Sequence, residues 1–596
     1  MHVSGIGHFH VGLDDSELGS RYDHSVVWRL LAFAIPYRKL LATTLFSLLI
    51  YSATVVAIPW IIQSATDNYI GSTNPGNMVL PIVIFFSVTS VQYLFNYFHL
   101  RSLAIITQKV LYKLRLKTFS HIQDLSLSFF DANPTGKIMS RIQNDIQQLQ
   151  EFLSILILSF ADLLSLIGIT IAMMLMHTQL AVTTVTIIPF LFITVYIWQK
   201  YARPEFLAVR YKLATLNSEL QENISGIRLI QSLNRQQTNI KHFGQTNNDY
   251  LASSLRASKI SNILLPIVEG LTAVGLSLVV VFGGQMIAGG ELTTGILIAF
   301  VLYIQRFFDT IRNLTMHYTQ LQRAMASGNR IFSLLDQTPA IADQETPVFI
   351  TQLVGTIEFR NVSFEYKENI PVLNDINFVI NPGENIALVG PTGAGKTTII
   401  KLLLRFYDVT NGGIFIDQQN IKSLSRSSYT NNIGLVPQDP HIFSGSILEN
   451  IQYNTPDISL DRIKEITKML GANQFIEQLP DGYLFTVGER GTQLSAGYRQ
   501  LLSFARAVAR NPKILVLDEA TSYVDTPTEI LIQKALSVLL KARTSIIIAH
   551  RLSTVRNVDR ILVIDQGKIV AEGPHDQLIL KSNLYRRLCD SGLDSI

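Results

Sequence analysis

The chain has 596 residues, 48% hydrophobic and 16% charged, with a formal net charge of +4 and a mean hydropathy of +0.27. So apolar a composition excludes an ordinary soluble protein and requires a membrane part, while so small a charge gives no ground for a nucleic-acid partner. The single Cys589 excludes an internal disulfide, and no Cys or His spacing suits a metal.

Residues 1–25 form a polar tail of mixed charge, expected to be cytoplasmic. It lacks a basic segment followed by an apolar one, so no cleavable signal peptide is expected. Residues 26–41, VVWRLLAFAIPYRKLL, are amphipathic. They suit an interfacial helix with Trp28 and Tyr37 at headgroup level and Arg29, Arg38 and Lys39 in water.

Six apolar stretches follow near 40–62, 79–100, 153–176, 180–198, 261–288 and 296–320. Each is close to the roughly 20 residues that a membrane helix needs. The transmembrane region is therefore placed at 26–325. The connections 101–152 and 199–260 are rich in Lys and Arg, whereas 63–78, 177–179 and 289–295 have none. The positive-inside rule puts the basic connections and both termini in the cytoplasm. Their apolar periodicity predicts that spans two to five continue as helices and turn near 128–137 and 221–228.

Residues 326–350 read as a linker. Residues 351–596 read as an α/β domain, in which β-rich runs (TIEFRNVSFEY, NIALVG, GIFID, IGLVP, ILVLDE, SIIIAH, RILVIDQG) alternate with helical segments.

The chemistry lies in this second half. GPTGAGKTT (390–398) follows an apolar strand and opens a helix, as a phosphate loop requires. Gly390, Gly393 and Gly395 would let backbone N–H groups curl round phosphate oxygens, in a nucleotide-binding loop completed by Pro391, Thr392 and Ala394 and leading to Thr398 at the helix start. Lys396 would neutralise the phosphates, and Thr397 would hold Mg²⁺. In ILVLDE, Asp518 is placed for the Mg²⁺ shell and Glu519 for a general base acting on water. Alone, acids at a strand end are often caps. His550 ends the run SIIIAH, where it could reach a γ-phosphate, although a lone His is more often structural. Gln438 in LVPQD could ligate Mg²⁺ or water. Tyr366, upstream of the loop, could stack on adenine or be an ordinary edge-strand aromatic.

Together these residues resemble the ATP-binding-cassette (ABC) family. LSAGYRQ (494–500) resembles its signature L-S-G-G-Q-R-Q. TVGERG (486–491) and SYVD (522–525) resemble further family loops, and FFDANPTGKIMSRIQNDI (129–146) resembles a hallmark of the type IV exporter fold. The resemblance implies a membrane α-helical domain fused to an α/β ATPase, ATP and Mg²⁺ as cofactors, and a multi-pass protein of the plasma (inner) membrane. It also implies two cassettes packed head to tail, with Ser495 and Gly497 closing on ATP held by the other chain, and the two cytoplasmic turns docking as coupling helices.

The departures are Ala496 for Gly and Tyr498 for Gln. Tyr498 is expected to face the partner's nucleotide and to weaken closure modestly. Off-pattern signatures occur in heterodimeric exporters, which favours a second, different half-transporter over a homodimer. The implied activity is ATP-driven export, or inner-to-outer leaflet flipping, of amphipathic small molecules, drugs or lipids by alternating access. The alternatives are a peptide exporter, disfavoured without a peptidase domain, and an ATP-gated channel or sensor. Asp162, Glu269, Arg306, Asp309 and Arg312 are ionisable groups within the spans. Of these, Glu269 is the candidate for touching cargo, while Arg306, Asp309 and Arg312 share a helix face where they could pair.

Overall fold

The computed structural model describes residues 24–70, 79–350, 352–453, 455–518, 526–549 and 551–590. It divides into two units. One gathers the described residues up to Gln123 with Gly136–Gln337; the other gathers Asp124–Thr135 with the described residues from Thr338 onward.

The first unit is helical because continuous apolar stretches satisfy their backbone groups within the segment only as α-helices. Among the described residues, six helices are long and apolar enough to cross a membrane: Ser25–Asn68, Val79–Asp124, Thr135–Met176, Thr178–Ser225, Gln236–Ala288 and Thr294–His317. The helix Val79–Asp124 has 46 residues. At 1.5 Å per residue that is about 69 Å, more than twice the hydrocarbon thickness, so the long extensions expected from the sequence are present.

At the basic end, Val26, Leu30 and Ala34 turn inward against Val110, Leu114, Leu149, Phe152 and Phe332. The entry segment 26–41 is thus one packed face and one open face, with Trp28 71% exposed. Arg29 makes a two-pronged ion pair with Asp336 (2.6 and 2.7 Å) and lies over the Phe332 ring. At the opposite end, Asp67 accepts from Gly295 N (2.8 Å) and Thr293 Oγ1 (2.6 Å), tying the end of the first span to the start of the last.

The last helix runs on to Leu335, through residues that composition places in a linker. Buried Ile331 and Phe332 hold it, and so does Arg330, whose guanidinium donates to Asp145 (2.9 and 2.5 Å) beside Ser327.

The second unit contains twelve strands among the described residues. They are β1 (Ile357–Lys367), β2 (Ile370–Ile380), β3 (Asn385–Val389), β4 (Asn411–Ile416), β5 (Gln419–Asn420), β6 (Ile433–Val436), β7 (Gly445–Ser446), β8 (Thr486–Val487), β9 (Ile514–Asp518), β10 (Thr544–Ile548), β11 (Arg560–Asp565) and β12 (Lys568–Gly573). The main sheet has the order β12-β11-β3-β10-β9-β6, parallel except where β12 pairs with β11. Its central strands β3 and β10 are buried almost throughout, as a sheet covered on both faces requires. A smaller antiparallel sheet, β2-β1-β4-β5, supplies the antiparallel portion expected from the sequence.

The short helix Leu127–Ala132 belongs to this unit. Ser126 Oγ accepts from Ile341 N (2.9 Å) at its start. The other turn forms the short helix Ile227–Ser232 in the helical unit, with Ile227 and Leu229 exposed.

Candidate functional site

The strand β3 delivers the chain into the loop 390–395, and the helix Lys396–Leu403 begins at once. Gly395 has φ +106, a conformation that side chains rarely adopt, and a Cβ there would meet Leu373 Cδ2 at 2.6 Å. A Cβ at Gly393 would meet nothing within 4 Å, so the loop is open on that side. The N-cap residue, Gly395, has no side chain to cap the helix start, and among the described residues this leaves the first N–H groups to an anion.

Lys396 is buried, and its ammonium donates to Gly390 O (2.6 Å) and Pro391 O (3.0 Å). Burial lowers its pKa, and the Asp518 carboxylate at the end of β9 pulls the other way. Backbone donors, a buried cation and a nearby carboxylate therefore converge on one loop. That donor set fits a polyphosphate with a divalent ion beside it.

Thr397 is exposed at the helix start, as are Thr392 and Gly393, while Ala394 is buried. Thr398 differs, being buried with its hydroxyl 3.2 Å from Tyr366 OH. Tyr366 is 42% exposed and meets the Tyr407 ring edge-on at 5.1 Å, with Lys401 over both rings. The strand β6 pairs in parallel with β9, so Gln438, exposed two residues beyond β6, follows the strand end next to Asp518. Ile548 of β10 is paired with Asp518 on the other side. Glu519, His550 and the SYVD segment lie outside the described residues.

Ser495 is the N-cap of the helix Ala496–Ala509, accepting from Tyr498 N at 3.3 Å. Gly497 is buried. Tyr498 does not stand free at the helix tip. Its ring stacks on Phe475, with centroids 4.2 Å apart and planes 9° apart, and packs against the unit's own core. The ring packs there because an aromatic side chain gains more from an adjacent aromatic than from water. Arg506 of the same helix donates to His441 O (2.8 Å) and Asn450 O (2.8 Å), holding the segment after Gln438. Phe475, Arg506 and Tyr407 escape sequence reasoning because each acts through a partner far away in the chain.

Within the spans, Arg312 donates to Asp309 (2.8 Å) and Glu269 (3.4 Å), so the Asp309–Arg312 part of the expected pairing is present and Glu269 joins it. Arg306 is exposed, and Asp162 lies 3.5 Å from His317.

Comparison with known proteins agrees with this architecture. The model of the ABC transporter transmembrane region matches residues 41–311, and that of the ABC transporter matches residues 373–522. The chain is 38% identical over 577 residues to an uncharacterized ABC transporter ATP-binding protein, YknV, of Bacillus subtilis (strain 168), covering 96% of each. It is 34% identical over 565 residues to an ATP-dependent lipid A-core flippase of Syntrophus aciditrophicus (strain SB), covering 94% of this chain and 93% of the flippase. The solved structure of a bacterial Atm1-family ABC exporter with ATP bound superposes with a TM-score of 0.79 at 27% identity, covering 93% of this chain and 98% of that one.

Proposed function

The chain belongs to the ABC transporters as an ATP-hydrolysing half-transporter of exporter fold, and on that premise we propose that it moves amphipathic small molecules, drugs or lipids outward, or flips them between leaflets. The observation that carries the reading is the open phosphate loop, with Lys396 and Asp518 converging on it, in a chain with six membrane-length helices among its described residues. A relative is named a lipid A-core flippase, which supports an amphipathic cargo.

In this proposal the basic connections, the termini and the ATPase unit are cytoplasmic, in the plasma (inner) membrane. Loop N–H groups and Lys396 hold the triphosphate, and Tyr366 offers its exposed ring to adenine. Thr397, Gln438 and the Asp518 shell hold Mg²⁺, which would neutralise charge on the phosphates. Glu519 accepts the proton of the attacking water, and His550 steadies the γ-phosphate. Ser495 and Gly497 close on the nucleotide of the partner cassette, so two chains are needed. The off-pattern Tyr498, whose ring stacks on Phe475, favours a second, different half-transporter as that partner over a second copy of this chain.

The test is ATP-dependent uptake of fluorescent dyes and lipid analogues by vesicles carrying the purified transporter, with Glu519→Gln as control. Uptake in the wild type and none in the variant supports export. ATP turnover with ion conductance and no uptake would identify a channel, and uptake confined to peptides would identify the peptide exporter.

A further inference from the structure

Tyr498 occupies the third position of the helix Ala496–Ala509, where the family signature has Gln. Its two ends do different work. Its backbone N–H donates to Ser495 Oγ, holding the hydroxyl that caps the helix. Its ring lies flat on Phe475 at 4.2 Å, and Phe475 is 5% exposed in the short helix Asn473–Glu477. That helix is anchored by Phe475 and Ile476, in a core shared with Leu470, Leu501 and Leu502.

The next residue secures the approach, since Arg499 Nη1 donates to Leu494 O at 2.7 Å. Ser495 and Gly497 are therefore fixed between an arginine clamp and an aromatic stack. A flat stack resists tilting of the first helical turn, because tilting opens the ring contact.

We propose that the Tyr498–Phe475 stack is a positioning pair for ATP hydrolysis. It sets the direction in which the Ser495 hydroxyl and the Gly497 N–H meet nucleotide held by a partner cassette. Tyr498 acts through those two groups and not by touching the nucleotide with its own ring. The phenyl face is what matters, and the phenol oxygen is dispensable. The inference rests on the proposed role of the signature as the partner-facing half of the site.

The test is steady-state ATPase kinetics of the assembled full-length transporter in lipid nanodiscs, with any second, unlike site silenced. Tyr498→Phe keeps the stack and is expected to retain wild-type KM and kcat. Tyr498→Gln and Phe475→Leu each remove it and are expected to raise KM for ATP by about two- to tenfold, with a smaller change in kcat. The double variant should be no worse than the worse single one, because both remove the same contact. The inference is overturned by wild-type KM in Tyr498→Gln, by equal damage in Tyr498→Phe, or by fully additive losses in the double variant. A lowered melting temperature with unchanged KM would show a merely structural stack, and would also overturn it. Lys396→Ala is run in parallel. Turnover surviving there would remove the phosphate-loop assignment on which the proposed site rests, whereas loss there with unchanged KM in Tyr498→Gln would remove only this inference.

Discussion

The hydroxyl of Tyr407 donates to the carboxylate of Asp131 at 2.5 Å, joining the phosphate-loop side of the ATPase unit to the short helix Leu127–Ala132. Lys401 Nζ lies 3.6 Å from the same carboxylate. Burial, together with the neighbouring Asp131 carboxylate, holds the Tyr407 phenol well above its usual pKa, so it remains a donor at any physiological pH. Lys401 also lies over the rings of Tyr366 and Tyr407, and Tyr366 reaches Thr398 of the phosphate-loop helix. A continuous run of contacts therefore leads from the proposed adenine platform to the turn that links spans two and three.

Tyr407→Phe keeps the ring cluster and removes only the donor. A hydrogen bond to a charged group is worth about 1.5–3 kcal/mol when buried, and less at the half-exposed Asp131. The expected result is a several-fold fall in ATP-driven uptake with a smaller fall in ATP hydrolysis. Uptake per ATP consumed is the measurement, and an unchanged ratio would show that this contact does not couple the two.

Lys396→Ala removes the buried cation of the loop. Truncating one member of a buried charge contact costs about 2–5 kcal/mol, or at least about 30-fold in affinity. Equilibrium binding of a fluorescent ATP analogue should fall by that much or become undetectable, while the melting temperature without nucleotide changes little. Binding at wild-type affinity would remove the phosphate-loop assignment.

Gly395→Ala tests the backbone in place of the charge. Its φ of +106 disfavours any side chain, at about 1–3 kcal/mol. The added Cβ would also press on Leu373, which is fully buried. Both nucleotide binding and melting temperature should drop, which separates this variant from Lys396→Ala.

Much of this was legible because buried parallel strands are continuous apolar runs. NIALV, ILVLD and TSIII declare β3, β9 and β10, and the glycine spacing declares the loop between β3 and its helix. The strand β2 was not legible, because Asn374, Asp375 and Asn377 interrupt its apolar pattern and its pairing with β1 is repeatedly shifted. The edge strand β12 is half exposed and carries little apolar signal. Residues 326–335 looked like linker because no local feature shows that Ser327 and Arg330 meet Asp145. The direction of the Tyr498 ring was hidden for the same reason: the motif identifies the residue, but Phe475 lies 23 positions earlier in the chain.

Glu269 offers the last prediction. As an isolated carboxylate in a span it would favour a cationic cargo, and Glu269→Gln would then selectively impair cationic dyes. In the structure Arg312 lies between Glu269 (3.4 Å) and Asp309 (2.8 Å), so one guanidinium serves two carboxylates on neighbouring helices. Removing Glu269 leaves a matched Arg312–Asp309 pair, whereas removing Arg312 leaves two like charges within the membrane, where unpaired charge is expensive. Glu269→Gln is therefore expected to change uptake less than twofold, for neutral and cationic dyes alike. Arg312→Ala is expected to lower uptake, and the yield of folded transporter, several-fold, with partial rescue by adding Glu269→Gln. Uptake of a neutral and a cationic dye, each normalised to transporter in the membrane, checks this. A selective loss of the cationic dye in Glu269→Gln would return Glu269 to the role of a cargo contact, and failure of the double variant to recover would show that charge balance is not what Arg312 provides.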